Sequence, residues 1–163
     1  MILRYVFDNS ALSELVSHCK LYQCLESFSQ NHELLIPTRV HEEFINGNPD
    51  QDDLDNLQSC FEIIEVSEQE TLLPYFDNDN TPGEFWVISY GLIYPDAVLV
   101  IDEGKGRFIA NFFELNLIGT VGLLKMLKEA GLLDGQLLVQ TQQTIKKGTF
   151  YLSNELENEL EAI

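Results

Sequence analysis

Two short apolar stretches, each ending in an aspartate, decide the fold class of this chain: Arg4-Tyr5-Val6-Phe7-Asp8 and Val98-Leu99-Val100-Ile101-Asp102. Both have the β-branched and aromatic composition of buried strands. Predicted helices separate them from further strands, and this alternation indicates parallel pairing with right-handed crossovers. In an open parallel sheet, the residues that follow the strands line the edge where ligands bind. We therefore expect an α/β domain in which Asp8 and Asp102 lie at one sheet edge.

The predicted elements fill the chain without an internal repeat or a long linker. We expect strands at residues 2–8, 33–36, 61–66, 97–101 and 117–118. We expect helices at residues 11–18, 20–30, 38–46, 51–60, 68–76, 81–94, 105–114, 120–130, 135–147 and 153–160. Ser10, Thr81 and Thr120 are the expected helix caps, and Asp77–Asn80 is an expected polar loop. We expect one domain over residues 1–163, closed by helices at about 135–163.

Composition indicates a globular domain and restricts its partners. The chain has 163 residues, of which 45% are hydrophobic, and the apolar stretches fall well short of a membrane span. We find no signal-peptide pattern, and the odd number of cysteines, three, favours a reducing compartment, so we expect a cytoplasmic protein. The net charge of −18 repels nucleic acid at long range. A role on nucleic acid therefore needs a metal ion, a local basic patch or a basic partner.

Three further acids can reach the edge that Asp8 and Asp102 define. Glu43 and Glu84 fall on predicted helices, and Glu103 follows Asp102 directly. Converging carboxylates repel one another unless a cation cancels their charge, and Mg²⁺ prefers oxygen ligands. We therefore expect Mg²⁺ or Mn²⁺ at a site with five carboxylate ligands, the first two being primary: Asp8, Asp102, Glu84, Glu43 and Glu103. A neighbouring hydroxyl, that of Ser10, can hold a water or a ligand carboxylate. Such a site suits phosphodiester hydrolysis, because a metal ion activates water and relieves phosphoryl charge.

The motifs that carry these acids resemble those of PIN-domain ribonucleases. The matching segments are Asp8 to Leu12, Ile36 to Glu43, Gly83-Glu84 and Leu99 to Glu103. The most distinctive match is Ile118 to Leu124, which together with Lys128, Gly131 and Lys147 to Ser153 is similar to an uncharacterised VapC-like branch of bacterial and archaeal proteins. The resemblance covers nearly the whole chain. It implies a three-layer α/β/α fold with a central, mostly parallel sheet.

The same resemblance implies an activity and a set of partners. Proteins of this kind are Mg²⁺-dependent endoribonucleases, often the toxin of a type II toxin–antitoxin pair, and usually homodimers. A small antitoxin can block the acidic site with a basic segment. By this resemblance four acids are catalytic: Asp8, Glu43, Glu84 and Asp102. The positions expected to contact RNA are Ser10, Arg107 and Thr120.

Two other functional hypotheses stay open at this point. The chain departs from the branch at Phe85-Trp86, where small residues are usual, and these aromatics either narrow the site or stack on a base. That departure and the net charge of −18 favour a catalytically idle PIN-fold module that binds a protein partner. A weaker hypothesis is a phosphatase or receiver-like domain with Asp8 as nucleophile, which the spacing of Thr120 and Lys125 fits poorly.

Purely structural interpretations of the acids also remain open. Asp8 and Asp102 can be ordinary strand-end caps. Glu84 can close a capping box with Thr81, because it follows the expected cap by three residues. The apolar face of the third predicted helix does not decide whether Glu42 or its neighbour faces the site, and the motif alone selects Glu43. A zinc site built from His18, Cys19 and Cys24 is disfavoured, since the paired Cys-x-x-Cys spacing is missing.

Overall fold

The computed structural model describes residues 1–76 and 81–163, so the expected loop Asp77–Asn80 lies outside the described residues. Its strands are β1 Arg4–Phe7, β2 Glu33–Pro37, β3 Phe61–Ile64, β4 Val98–Val100 and β5 Leu117–Ile118. They form one five-stranded sheet in the order β3-β2-β1-β4-β5, and every pairing is parallel. The expected parallel sheet is therefore confirmed.

Helices connect the strands and cover both faces of the sheet. In chain order they are α1 Asn9–Leu12, α2 Tyr22–Ser29, α3 Thr38–Asn46, α4 Gln51–Cys60, α5 Gly83–Ile93, α6 Gly104–Phe112, α7 Thr120–Glu129, α8 Gly135–Lys147 and α9 Asn154–Glu161. A π-helical segment, Ser13–His18, continues α1, and a 3₁₀ helix spans Glu70–Tyr75. This is the expected three-layer α/β/α arrangement. Within the described residues, no helix combines the length and apolar character needed to cross a membrane.

The sheet reverses its direction of growth between its two central strands. From β1 the chain builds β2 and β3 on one side, and it then places β4 and β5 on the other. Tyr5 in β1 pairs with Leu34 of β2 and with Val98 of β4. A crevice opens beyond the carboxyl ends of the strands at such a switch point, because the crossovers leave in opposite directions. The residues that follow β1 and β4 line that crevice.

The core lies on both faces of the two central strands. Val6, Phe7 and Leu99 are fully buried, and Phe7 packs edge-on against Phe61 with ring centroids 5.2 Å apart. Helix α5 approaches β4 closely at Gly91, where a Cβ atom would lie 2.9 Å from Leu99 Cδ1. The strand ends are thus held by dense packing, and the aspartates that follow them have fixed backbones.

Several details of the expected secondary structure are wrong. Asp8, and not Ser10, caps α1, since its carboxylate accepts the Ala11 backbone N–H at 2.9 Å. Helix α5 starts at Gly83 with Pro82 in the cap position, so the expected Thr81 cap with proline in the first turn does not form. The helix expected at 68–76 is a 3₁₀ helix containing Pro74, which lacks the N–H that an α-helix needs there.

Replacing Leu99 by alanine is expected to lower the free energy of unfolding by ~2–5 kcal/mol, because the side chain is completely buried in a central strand. Denaturant unfolding of the purified variant measures this loss. Ile63→Ala on β3 is the matched control, since that side chain is 47% exposed. An equal loss for the two variants would contradict the central position of β4 in the core.

Candidate active site

The aspartates that follow β1 and β4 meet at the switch point of the sheet. The backbone N–H of Asp102 donates to Asp8 Oδ2 at 3.3 Å, and the other carboxylate oxygen of Asp8 accepts the Ala11 N–H. The two residues are 94 positions apart in sequence and are neighbours because their strands pair in register. The expectation that these acids converge is confirmed. Asp8 is also the cap of α1, so its structural interpretation is confirmed, and its role as a metal ligand stays a prediction.

Burial makes Asp8 an unusual acid. The side chain is only 3% exposed. This burial raises the pKa of Asp8 to about 8, and the nearby negative charges of Asp102 and Glu103 also raise it. The hydrogen bond from Ala11 lowers the pKa and offsets part of this rise. Without a cation, this carboxyl therefore holds its proton at neutral pH.

Thr120 fixes the carboxylate of Asp102. Its backbone N–H donates to Asp102 Oδ1 at 2.8 Å, and its hydroxyl donates to Oδ2 at 2.6 Å. Burial raises the pKa of Asp102, and the two hydrogen bonds from Thr120 oppose that rise. Thr120 is the first residue of α7, and Gly119 is the cap residue, so the expected helix cap at Thr120 is wrong. In the structure Thr120 orients an acid, and its hydroxyl is engaged with Asp102.

Arg107 lies on the same side of the site and is anchored to the backbone. Its Nη1 donates to the carbonyl of Ile101 at 2.7 Å, and its charge lowers the pKa of Asp102. A Cβ atom on Gly119 would lie 3.0 Å from Asp102 Oδ1 and 3.1 Å from Arg107 Nη1. The guanidinium and the carboxylate thus pack against a bare glycine backbone. The expected phosphate-binding role of Arg107 stays a prediction.

Glu43 reaches the site from α3, as the motif alone had indicated. Its Oε1 accepts the backbone N–H of Gly83 at 2.6 Å, which joins α3 to the first turn of α5. Its neighbour Glu42 is exposed and pairs with Arg39 at 3.2 Å. A Cβ atom on Gly83 would lie 2.8 Å from Val40 Cγ2, so the two helices can approach this closely only at a glycine.

Glu84 points a buried oxygen into the site without a partner. The residue is 9% exposed, and its Oε2 atom has no hydrogen bond in the part of the chain that the structure describes. Burial and the charge of Glu103 raise the pKa of Glu84 to about 7, against the opposing charge of Lys105. A Cβ atom on Gly106 would lie 2.6 Å from this oxygen. The first turn of α5 has no side-chain cap, so the capping-box interpretation of Glu84 is wrong.

A small cavity collects these acids. Ser10 donates to Glu103 Oε1 at 3.2 Å across its mouth. The cavity has a volume of about 100 Å³, and the polar side chains that line it include those of Asp8, Ser10, Glu43, Glu84 and Glu103. Asp102 contacts Asp8 through its backbone N–H, but its carboxylate is held by Thr120 and lines an adjoining cavity together with Ser10 and Glu103. The structure thus brings four of the five expected carboxylates into one cavity and places the fifth beside it.

The carboxylates of the site have the chemistry that a hard dication such as Mg²⁺ prefers. Their present positions, however, do not form a metal-binding arrangement. Within residues 1–76 and 81–163, no three His, Cys, Asp or Glu side chains already stand in a metal-holding arrangement. The orphaned Glu84 oxygen and the raised pKa values of Asp8 and Glu84 are both signs of carboxylates that lack a counter-charge. The carboxylates and the hydroxyl that line the cavity offer oxygen atoms, the kind of ligand that Mg²⁺ prefers. Binding would need the carboxylate side chains to move closer together.

The residues disfavoured as zinc ligands have other partners, and Cys19 shares Glu14 with its neighbour His18. His18 Nδ1 is 2.7 Å from Glu14 Oε2, and the buried thiol of Cys24 donates to the carbonyl of Leu132. Sequence reasoning missed the supporting glycines at positions 83, 106 and 119. Glycine admits close backbone approach, but of these three only Gly83 adjoins an acid of the site in sequence, so the chain gave no clear signal for them.

A comparison with known families agrees with the geometry. The family model described as DUF3368: PIN domain matches residues 4–162, which is nearly the whole chain. No curated protein matches the sequence. The parallel five-stranded sheet and the acids at its switch point are the architecture on which PIN-domain nucleases are built. The chain therefore belongs to the PIN-domain family.

Proposed function

We propose that this protein is a metal-dependent endoribonuclease that hydrolyses RNA phosphodiester bonds within a single domain. One observation carries the proposal: acids from both sides of the switch point share a cavity, and one of them has an unpartnered buried oxygen. Asp8, Glu43, Glu84 and Asp102 are the proposed catalytic acids. The ion is Mg²⁺ or Mn²⁺, and PIN-domain nucleases in general use divalent metals.

The surroundings of each acid indicate its role in the proposed metal site. Asp8 and Asp102 are the primary ligands, because their backbones are fixed at the sheet edge and their carboxylates are oriented by N–H and hydroxyl donors. Glu43, Glu84 and Glu103 complete the shell directly or through water. When bound, a dication supplies positive charge for the phosphoryl oxygens and makes a water molecule more acidic.

Neighbouring side chains position the acids and the RNA. Thr120 holds the carboxylate of Asp102 in one orientation through two hydrogen bonds. Ser10 holds Glu103 in the same way. Arg107, anchored on the Ile101 carbonyl, adds a positive charge behind the site where an RNA phosphate can approach.

The acidity of the chain suits a basic regulator. With a net charge of −18, the protein repels RNA and attracts cationic peptides. We therefore place it in the VapC-like branch, as the toxin of a type II toxin–antitoxin pair. In that setting it is cytoplasmic and homodimeric, and an antitoxin with a basic segment occupies the acidic cavity.

The second candidate is a catalytically idle PIN-fold module that binds a protein. It is favoured by the net charge and by the lack, in the described residues, of a preformed metal-holding group. Chemistry at an Asp8 nucleophile is less well supported, because that carboxyl is 3% exposed and held by two backbone N–H groups. Lys125 lines a different groove beside α9. Incubating RNA with the purified protein in Mg²⁺ or Mn²⁺ separates cleavage from idle binding.

Asp8→Asn is expected to reduce RNA cleavage at least ~100-fold. Mutating a residue that only hydrogen-bonds to a metal ligand already lowers metal affinity or activity by ~10–100-fold, and Asp8 is a proposed ligand itself. Cleavage of a labelled RNA in Mg²⁺ measures the loss. The variant should stay folded, since Asp8 with a pKa of about 8 is mostly protonated at pH 7 and asparagine is similar in shape and charge. Asp55→Asn on the exposed face of α4 is the control. Full activity of Asp8→Asn would remove the proposed mechanism.

Thermal unfolding in a chelator is expected to show lower stability as the pH rises from about 5.5 to 8.5. Asp8 and Glu84 have pKa values of about 8 and about 7 when folded, above the ordinary values of 3.8 and 4.5. The folded state therefore holds more protons than the unfolded state in this window, and stability declines through it.

Two comparisons test the cause of this pH dependence. Asp8→Asn should flatten the decline, because it removes the group with the larger shift. Mg²⁺ should raise the melting temperature more at pH 8.5 than at pH 5.5, since its ligands must be deprotonated. A decline that is identical in the wild type and in Asp8→Asn would assign the effect to the general negative charge of the chain.

A further inference from the structure

A second cavity, the Trp86 pocket, lies beside the acidic cavity. It has a volume of about 260 Å³, and the residues that line it include Pro37, Thr38, Arg39, Glu65, Val66 and Trp86. Its apolar wall is made by an indole ring, a proline and a valine. Its polar rim carries carboxylates, a hydroxyl and a guanidinium. This combination of a flat aromatic wall and a hydrogen-bonding rim is typical of sites that hold a planar, polar ring.

The two adjacent aromatics on α5 have different surroundings. Phe85 is fully buried and packs edge-on against Phe76, with ring centroids 5.3 Å apart. Trp86 is half-buried and lines the pocket. Phe85 is therefore a core residue that cannot stack on a base, whereas Trp86 has a ring available to a ligand. Core packing therefore accounts for the aromatic residue at position 85, whereas the one at position 86 lines a cavity.

The Trp86 pocket adjoins the proposed catalytic acids. Arg39, on the rim of the pocket, lies four residues before Glu43 on α3, so the two side chains share one face of that helix. The Arg39 Nε atom is 4.0 Å from Glu43 Oε1, so the rim of the pocket contacts a wall of the acidic cavity. A base held in the pocket would therefore lie next to the proposed catalytic acids.

The rim of the pocket favours ligands that donate hydrogen bonds. Glu65 Oε1 accepts from the hydroxyl of Thr38 at 2.9 Å, and Glu42, also on the rim, accepts from Arg39 at 3.2 Å. A carboxylate has about four acceptor positions and no donor, so both glutamates can accept further hydrogen bonds. An exocyclic amino group meets that need, as when glutamate accepts from the amino group of cytosine. Uracil carries a carbonyl oxygen in place of the amino group and keeps only its N3–H as a ring donor, so it would offer the rim carboxylates fewer hydrogen bonds.

We propose that the Trp86 pocket binds one base of single-stranded RNA, stacked on the indole, and favours bases with an exocyclic amino group over uracil. The inference rests on the proposed ribonuclease function, for which it supplies a determinant of where the RNA is cut. Stacking of a base on an aromatic side chain is tolerant of sequence, and the carboxylates of the rim provide the discrimination.

Intrinsic fluorescence tests the proposal directly, because Trp86 is the one tryptophan of the chain. The Asp8→Asn protein in Mg²⁺ is titrated with hexamers of cytidylate, adenylate or uridylate, and gel electrophoresis checks that the RNA stays intact. Stacking should quench the indole emission saturably, with cytidylate and adenylate binding about tenfold tighter than uridylate. Equal affinities for the three hexamers, or RNA binding without any quenching, would overturn the proposal. So would the failure of every hexamer to bind.

Matched variants separate the rim carboxylate from the general charge of the protein. Glu65→Gln replaces an acceptor by a group that also donates, so the preference over uridylate should disappear. Glu62→Gln removes the same charge from an exposed position on β3, and there the preference should persist. With a dye-labelled hexamer, Trp86→Leu should lose binding that Trp86→Phe partly retains, and Phe112→Ala, an exposed aromatic elsewhere, should bind normally. Loss of preference in both glutamine variants would refute the rim assignment.

The two proposals can fail separately. If the wild-type protein cleaves no RNA in Mg²⁺ or Mn²⁺ but the indole is quenched with the expected preference, the pocket stands and the ribonuclease function falls. If cleavage occurs and neither quenching nor preference is seen, the function stands and the pocket assignment falls.

Discussion

The contact between the Asp102 backbone N–H and the Asp8 carboxylate determines how this active-site region is organised. It places two acids within one hydrogen bond of each other at the centre of a parallel sheet. Buried acids close to one another are stable only if protons, hydrogen-bond donors or a cation offset their charge. Here burial raises the pKa of Asp8 to about 8, which favours its protonated form, and Thr120 donates twice to Asp102. A metal ion would take the place of the proton, and the carboxylate side chains would have to move closer together to bind it.

Much of this arrangement could be predicted from the sequence. The strand-to-aspartate transitions at Asp8 and Asp102 indicate the sheet edge because their periodicity and position are local properties of the chain. The choice of Glu43 over Glu42 needed the motif, since both lie on the same helix and only tertiary packing against Gly83 separates them. The roles of glycines in that packing were missed, because a close approach between two backbones leaves no local signature.

Helix ends were less predictable than the helices themselves. Ser and Thr are favoured caps, and the sequence therefore pointed to Ser10 and Thr120. In the structure the hydroxyls of both residues donate to acids of the site, Glu103 and Asp102. These hydrogen bonds join residues far apart in sequence, and a capping rule based on neighbouring residues does not take them into account. These two departures from the local capping rule therefore both lie at the cluster of acids.

Three glycines give the acidic cavity an uneven tolerance of sequence change. A methyl group at position 83, 106 or 119 would press on the oxygen of Glu43, Glu84 or Asp102 at 3.0 Å or less, whereas Gly104 faces open space. On the proposed function, substitutions at the three crowded positions would impair cleavage along with substitutions of the acids. The backbone around the cavity would then be restricted in sequence by the side chains that it supports.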